Sequence, residues 1–92
     1  MGERKMSAHK RADEIEWKMF DDESLLLNVQ TGFYFRLNVV GSYIWSNLDG
    51  NRNDDEIIHL VADAFDTTSE QASKDYRAFI STLSEEKLIL NV

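Results

Sequence analysis

The spacing of apolar residues along this chain changes once, at Asn38. Before it the period is two. Ile15, Trp17 and Met19 alternate with Glu14, Glu16 and Lys18, which predicts a half-buried strand ended by the turn residues Asp21-Asp22-Glu23. A second inward row is expected from Leu25, Leu27 and Val29, with Ser24, Asn28 and Gln30 facing out and Leu26 breaking the pattern. Thr31-Gly32 makes a tight turn into a third strand, Phe33 to Leu37, where Phe33, Phe35 and Leu37 face one way and Tyr34 and Arg36 the other. Strands joined by turns this short form an antiparallel meander, and its third strand is then an edge.

After Asn38 the period is helical. Asn38 is placed to cap a helix that turns Val40, Ile44 and Leu48 inward, flanked by Trp45 and stopped by Asp49-Gly50. Asn53 or Asp54 opens a second helix, whose apolar face is Ile57, Ile58, Val61, Ala62 and Phe65. Thr68 with Gln71 fits a capping box for a third helix, with Ala72, Tyr76, Phe79, Ile80 and Leu83 as its buried stripe. Leu88 and Ile89 are expected to return to the core. The pattern predicts an α+β domain of winged-helix type: a three-stranded antiparallel β-meander followed by three α-helices.

Residues 1–12 show no apolar period and read as a disordered basic tail, leaving 13–92 as one small folded domain. There is no cysteine, hence no disulfide, thiolate metal site or cysteine nucleophile. No apolar run approaches the roughly 20 residues of a membrane span, and no secretory segment is visible, so a cytoplasmic location is expected.

Charge narrows the partners. Arg4, Lys5, Lys10 and Arg11 stand against Glu3 alone at the start, so the body is more acidic than the total of −7 implies. An acidic body repels phosphate backbones. That weighs against a winged-helix DNA-binding regulator, because the candidate recognition helices carry Asp54, Asp55, Glu56 and Asp63, or Glu70, Asp75, Glu85 and Glu86. Neither nucleic acid nor membrane is an expected partner.

Catalytic chemistry is sparse. His9 lies in the tail and His59 on the second helix, and Glu56, His59 and Asp63 read as a solvated face, not a metal site. No H-E-x-x-H, P-loop, G-x-S-x-G or Cys-His pattern is present, so no catalytic residue, metal or cofactor is assigned.

The run from Thr31 to Trp45, T-G-F-Y-F-R-L-N-V-V-G-S-Y-I-W, followed by Leu48-Asp49-Gly50, resembles the PqqD family, and the resemblance extends over roughly Ile15 to Ile89. These are stand-alone precursor-peptide recognition elements of ribosomal peptide modification pathways. The resemblance implies a non-catalytic protein that binds the leader of a precursor peptide between its third strand and last helix. It implies presentation of that peptide to a modifying enzyme, such as a radical S-adenosylmethionine enzyme in quinone-cofactor (PQQ) or related biosynthesis. The alternative it carries is a lasso-peptide leader-binding subunit of a leader peptidase.

The residues themselves point to the same place. The third strand has no proline and only Arg36 as a charge, so its edge is poorly protected and can take an extended peptide as a further strand. The backbone of Phe33, Tyr34, Phe35, Arg36 and Leu37 is expected to pair with it. Lys74, Arg77, Ala78 and Ser81 flank the buried stripe of the last helix and form the expected opposite wall. There Arg77 can meet a carboxylate, and Ala78 and Ser81 leave room for apolar side chains. The competing occupant of the groove is the protein itself, through its tail or a second copy, so the chain is read as a monomer or an edge-paired dimer.

Overall fold

A computed structural model describes residues 8–91. Its elements in order are β1 (Ala8–Arg11), β2 (Ile15–Phe20), β3 (Glu23–Asn28), β4 (Tyr34–Leu37), α1 (Val39–Ser46), β5 (Asp49–Asn53), α2 (Asp54–Ala64), α3 (Ser69–Glu85) and β6 (Ile89–Asn91). The expected meander is β2-β3-β4, antiparallel, with β4 at one edge and β2 at the other. The three expected helices follow it. A second small sheet, in the order β5-β1-β6, was not foreseen.

Part of the expected tail is therefore ordered. Residues 8–11 form β1, paired antiparallel with β5 and β6; the remainder of that expectation, residues 1–7, lies outside the described residues. The segment Ala-His-Lys-Arg has no apolar alternation to announce a strand. Polar contacts hold it instead: His9 Nδ1 lies 2.7 Å from Asn91 Oδ1 and its Nε2 3.3 Å from Asp54 Oδ1. Arg11 donates to the carbonyls of Trp45 and Ser46 at 3.0 and 3.2 Å. The last turn of α1 carries no basic residue of its own, so Arg11 supplies the cation that the carbonyl end of a helix favours.

The inward face of β3 is also inverted relative to the expectation. Ser24 and Leu26 are buried, Leu25 and Leu27 are half-buried on the other face, and Val29 is exposed beyond the strand. The turn decides the phase: Asp21 takes the left-handed conformation, φ 58°, and closes a two-residue hairpin that sets Phe20 opposite Glu23. Ser24 tolerates burial because its Oγ lies 2.7 Å from Ser42 Oγ of α1, and Ser42 Oγ also donates to the Leu37 carbonyl at 3.2 Å. This pins α1 across the inner face of the meander, where Ile44 and Trp45 are buried and Trp45 meets the Trp17 ring edge-on at 6.0 Å.

Helix α1 stops earlier than expected. Asn47 ends it, donating its backbone N–H to Ile44 and its Nδ2 to the Tyr43 carbonyl. Leu48 is fully buried but outside the helix, and Asp49-Gly50 begins β5. Asn53 caps α2 with a complete capping box to Glu56, which settles the choice between Asn53 and Asp54. Thr68 caps α3 by accepting from the Gln71 N–H at 3.0 Å, but the Gln71 side chain donates to Asp75, so the expected box there is half made. The core gathers Leu26, Leu37, Ile44, Trp45, Leu48, Ile57, Val61, Ala72, Tyr76 and Leu83, with Leu88 and Ile89 returning to it as expected.

Candidate functional site

The outer edge of β4 follows from the hydrogen-bond phase of the meander. Asn28 donates its backbone N–H to the Phe33 carbonyl at 3.0 Å, continuing the register that sets Leu26 opposite Phe35 and Ser24 opposite Leu37. In an antiparallel pair the N–H and C=O of one residue point the same way, and successive residues alternate. Phe33, Phe35 and Leu37 therefore direct their backbone groups to β3. Tyr34 and Arg36 direct theirs outward, where no strand pairs with β4 among the described residues.

Side chains alternate on the same strand. Leu37 is buried and Phe35 half-buried on the inner face, whereas Tyr34 is 67% exposed and Phe33, just before the strand, is 65% exposed. Arg36 reaches across the outer face to Glu23 at 3.4 Å, an exposed ion pair that contributes little to stability.

Where β4 ends, α1 and α3 close in. Asn38 Oδ1 accepts from the Gly41 N–H at 2.8 Å, starting α1 without a loop. A Cβ on Gly41 would lie 3.3 Å from Cε1 and Cζ of Phe79 and 3.2 Å from Asn38 Oδ1, so glycine lets the backbone of α1 approach the α3 aromatic. Phe79 and Val40 are half-buried and Val39 is 40% exposed, leaving an apolar floor beside the end of the β4 edge.

The Gly41 contact also fixes which flank of α3 turns toward that edge. Tyr76 points into the core, 1% exposed, and at about 100° per residue Phe79 lies about 60° to one side of it. Continuing the same way come Asp75, Thr82, Gln71 and then Ala78. Arg77, Ser81 and Lys74 lie round the other flank, about 140–160° from Phe79. Arg77 Nε donates to Ser73 Oγ at 3.2 Å. Arg77 and Lys74 line a depression of about 440 Å³ with Thr68, Gln71 and Ser73, to which β4 contributes nothing. α1 thus packs against both β4 and Phe79 of α3, Ala78 lies about 100° round α3 from Phe79, and Lys74, Arg77 and Ser81 lie on the opposite flank. Phe79, expected in the buried stripe of α3, is only half-buried and meets Gly41 of α1, a contact not foreseen. The signal was Gly41, a glycine inside a helix with no turn to make.

Behind the groove, Tyr76 donates its hydroxyl to Asp54 Oδ1 at 2.7 Å, tying α3 to the start of α2. Burial, and then the neighbouring Asp54 carboxylate, raise the phenol far above its ordinary range. Asp49 is shifted the other way, held low mainly by the N–H of Asn51, with Arg52 contributing its N–H and its guanidinium. No group of three or more His, Cys, Asp or Glu side chains that could hold a metal ion occurs among the described residues. No helix there is long and apolar enough to cross a membrane.

Fold and site together define a small α+β domain in which the outer edge of β4 takes no partner strand among the described residues. The sequence profile described as coenzyme PQQ synthesis protein D (PqqD) matches residues 23–89, and the chain belongs to the PqqD family. Among solved structures it is similar to TbiB1 in complex with the TbiA(beta) leader peptide: 34% identity, TM-score 0.80, covering 87% of this chain and 93% of that one. Lasso peptide synthetase B1 complexed with the leader peptide shares the fold, with TM-score 0.79 at 21% identity over 89% of this chain and 96% of that one. Comparison with curated proteins gives no match.

Proposed function

We propose that this chain binds the leader segment of a ribosomally made precursor peptide as an added strand on β4 and presents it to a modifying enzyme, performing no chemistry itself. The observation that carries the reading is the outward-facing backbone of Tyr34 and Arg36, on an edge that runs into α1, where Gly41 packs against Phe79. Main-chain bonding captures an extended peptide, and the side chains that border the edge select among its own. The 34% identical relative that was solved holding a leader peptide supports the same use of the fold.

Tyr34, Phe35, Arg36 and Leu37 make the strand side of this site, with Phe33 where the peptide enters. Asp75, Phe79, Thr82 and Ala78 make the helix side, in place of Lys74, Arg77 and Ser81. Peptide side chains opposite Phe35 and Leu37 share the inner face of the sheet and are best apolar. Those flanking Arg36 lie on the outer face, where a carboxylate competes with Glu23 for the guanidinium.

The test is a titration of the labelled chain with the leader peptide encoded beside it, followed through backbone amide shifts. The largest changes are expected at Tyr34 and Arg36 and along the Phe79 flank of α3. Largest changes on Ile57 to Phe65 would overturn the assignment.

A further inference from the structure

The meander has a second open edge, on β2. We infer that it is a self-association surface, through which two copies of this chain pair antiparallel about a twofold axis with Trp17 opposite Trp17.

The phase of β2 comes from its pairing with β3. Val29 donates its N–H to the Glu14 carbonyl at 3.5 Å, in the register that sets Glu16 opposite Leu27 and Lys18 opposite Leu25. Glu16, Lys18 and Phe20 therefore direct their backbone groups to β3, and Ile15, Trp17 and Met19 direct theirs outward. Among the described residues no strand covers that edge. Its register is continuous and it has no proline, two of the devices that usually protect an edge being absent. Trp17, Met19 and Phe20 are 37%, 42% and 55% exposed, with the Arg11 guanidinium 5.2 Å from the Trp17 ring, so the edge is apolar and, among the described residues, without a partner strand.

Charge chooses the occupant and its register. A second β2 laid antiparallel must match outward-facing residues with outward-facing residues. Centred on Glu16, the pair sets Glu16 against Glu16; centred on Lys18, it sets Lys18 against Lys18. Centred on Trp17, each Glu16 falls opposite Lys18 of the other copy, and each Ile15 opposite Met19. Like charges directly opposite are destabilising and unlike charges stabilising, and of these three arrangements only the Trp17-centred one sets unlike charges opposite with no like pair. The two Trp17 residues then exchange N–H···O=C bonds, and each Met19 N–H meets the Ile15 carbonyl of the other copy. The Ile15 N–H already donates to Ala12 at 3.2 Å and takes no part. Pairing in this way doubles the width of the sheet and leaves a β4 edge open at each end, so it is independent of peptide binding.

Sedimentation equilibrium of the full chain, from micromolar to millimolar concentration, tests the inference. Wild type is expected to be a reversible monomer–dimer system. Glu16→Lys and Lys18→Glu are each expected to raise the dimer dissociation constant about tenfold or more. The double variant Glu16→Lys/Lys18→Glu restores opposite charges across the axis and should return to the wild-type value. A wild type that stays monomeric throughout, single variants that associate like wild type, or a double variant as weak as the singles would each overturn it. The leader titration runs on the same samples. Failure of that titration with the charge pattern intact rejects the peptide-binding reading alone.

Discussion

Gly41 and Phe79 are in close contact: an added Cβ would sit 3.3 Å from the ring. The pair joins the cap of α1 to the half-buried flank of α3. Gly41→Ala gains about 0.5–1 kcal/mol of helix propensity and loses a similar amount to crowding, because Phe79 at the rim can shift by a few tenths of an ångström. Its urea midpoint should stay near that of wild type. Gly41→Leu should destabilise by about 1–3 kcal/mol and displace Phe79, weakening leader binding. If a folded Gly41→Leu variant binds the leader normally, Phe79 is not part of the groove.

Proline separates the two backbone directions of β4. Arg36 turns its N–H away from β3, so Arg36→Pro removes a donor from the open edge, where proline is tolerated. Phe35 turns its N–H to β3, opposite Leu26. Phe35→Pro should cost about 3 kcal/mol or more and unfold much of the chain, while Arg36→Pro should retain native circular dichroism and lose leader affinity at least about tenfold. Equal destabilisation by the two would mean the phase of β4 is misassigned.

The Ser24–Ser42 hydroxyl pair predicts a coupling energy. Ser42→Ala leaves the buried Ser24 hydroxyl without this partner and should cost about 1–3 kcal/mol. Ser24→Ala should cost less, because Ser42 keeps the Leu37 carbonyl as acceptor. The double variant should fall short of the sum of the singles, a non-additivity that urea denaturation of all four proteins would measure.

How much of this was readable beforehand varies with the element. Asn38 and Thr68 cap as expected because N-cap chemistry is local, and the stripe of Ala72, Tyr76 and Leu83 is buried because one helix face suffices to show it. Leu25-Leu26-Leu27 offered both strand phases. The turn at Asp21 decided between them, and Ser24, which that phase buries, is satisfied by a hydroxyl 18 positions away, which no local pattern reports. β1 has no apolar residue beyond Ala8, and its partners lie in β5 and β6. On α3 the buried stripe was legible, but which flank borders β4 depends on the Gly41 contact.

Tyr76 predicts a pH dependence. Its phenol is raised by burial and by Asp54, so the native state holds a proton that the unfolded chain releases above about pH 10. That contribution to stability is complete below about pH 10 and is lost as pH rises beyond it. Tyr76→Phe lacks the hydrogen bond to Asp54 and should be weaker by about 1–2 kcal/mol at pH 7. Between pH 10 and pH 12, by the same linkage, it should lose roughly less stability than wild type. Denaturant midpoints across that range check both halves, and parallel declines would remove Tyr76 as the cause.

The outward backbone of β4 is only two residues long, Tyr34 and Arg36, and this has a consequence for measuring distance along a bound chain. A peptide on so short a ladder keeps the same main-chain bonds when it slips by two residues, a step of about 6–7 Å. Backbone pairing alone therefore holds a strand without indexing it. On the proposed site, the zero of the scale is therefore set by side-chain contacts and not by the backbone ladder. An enzyme acting at a fixed number of residues from such a contact takes its count from that contact.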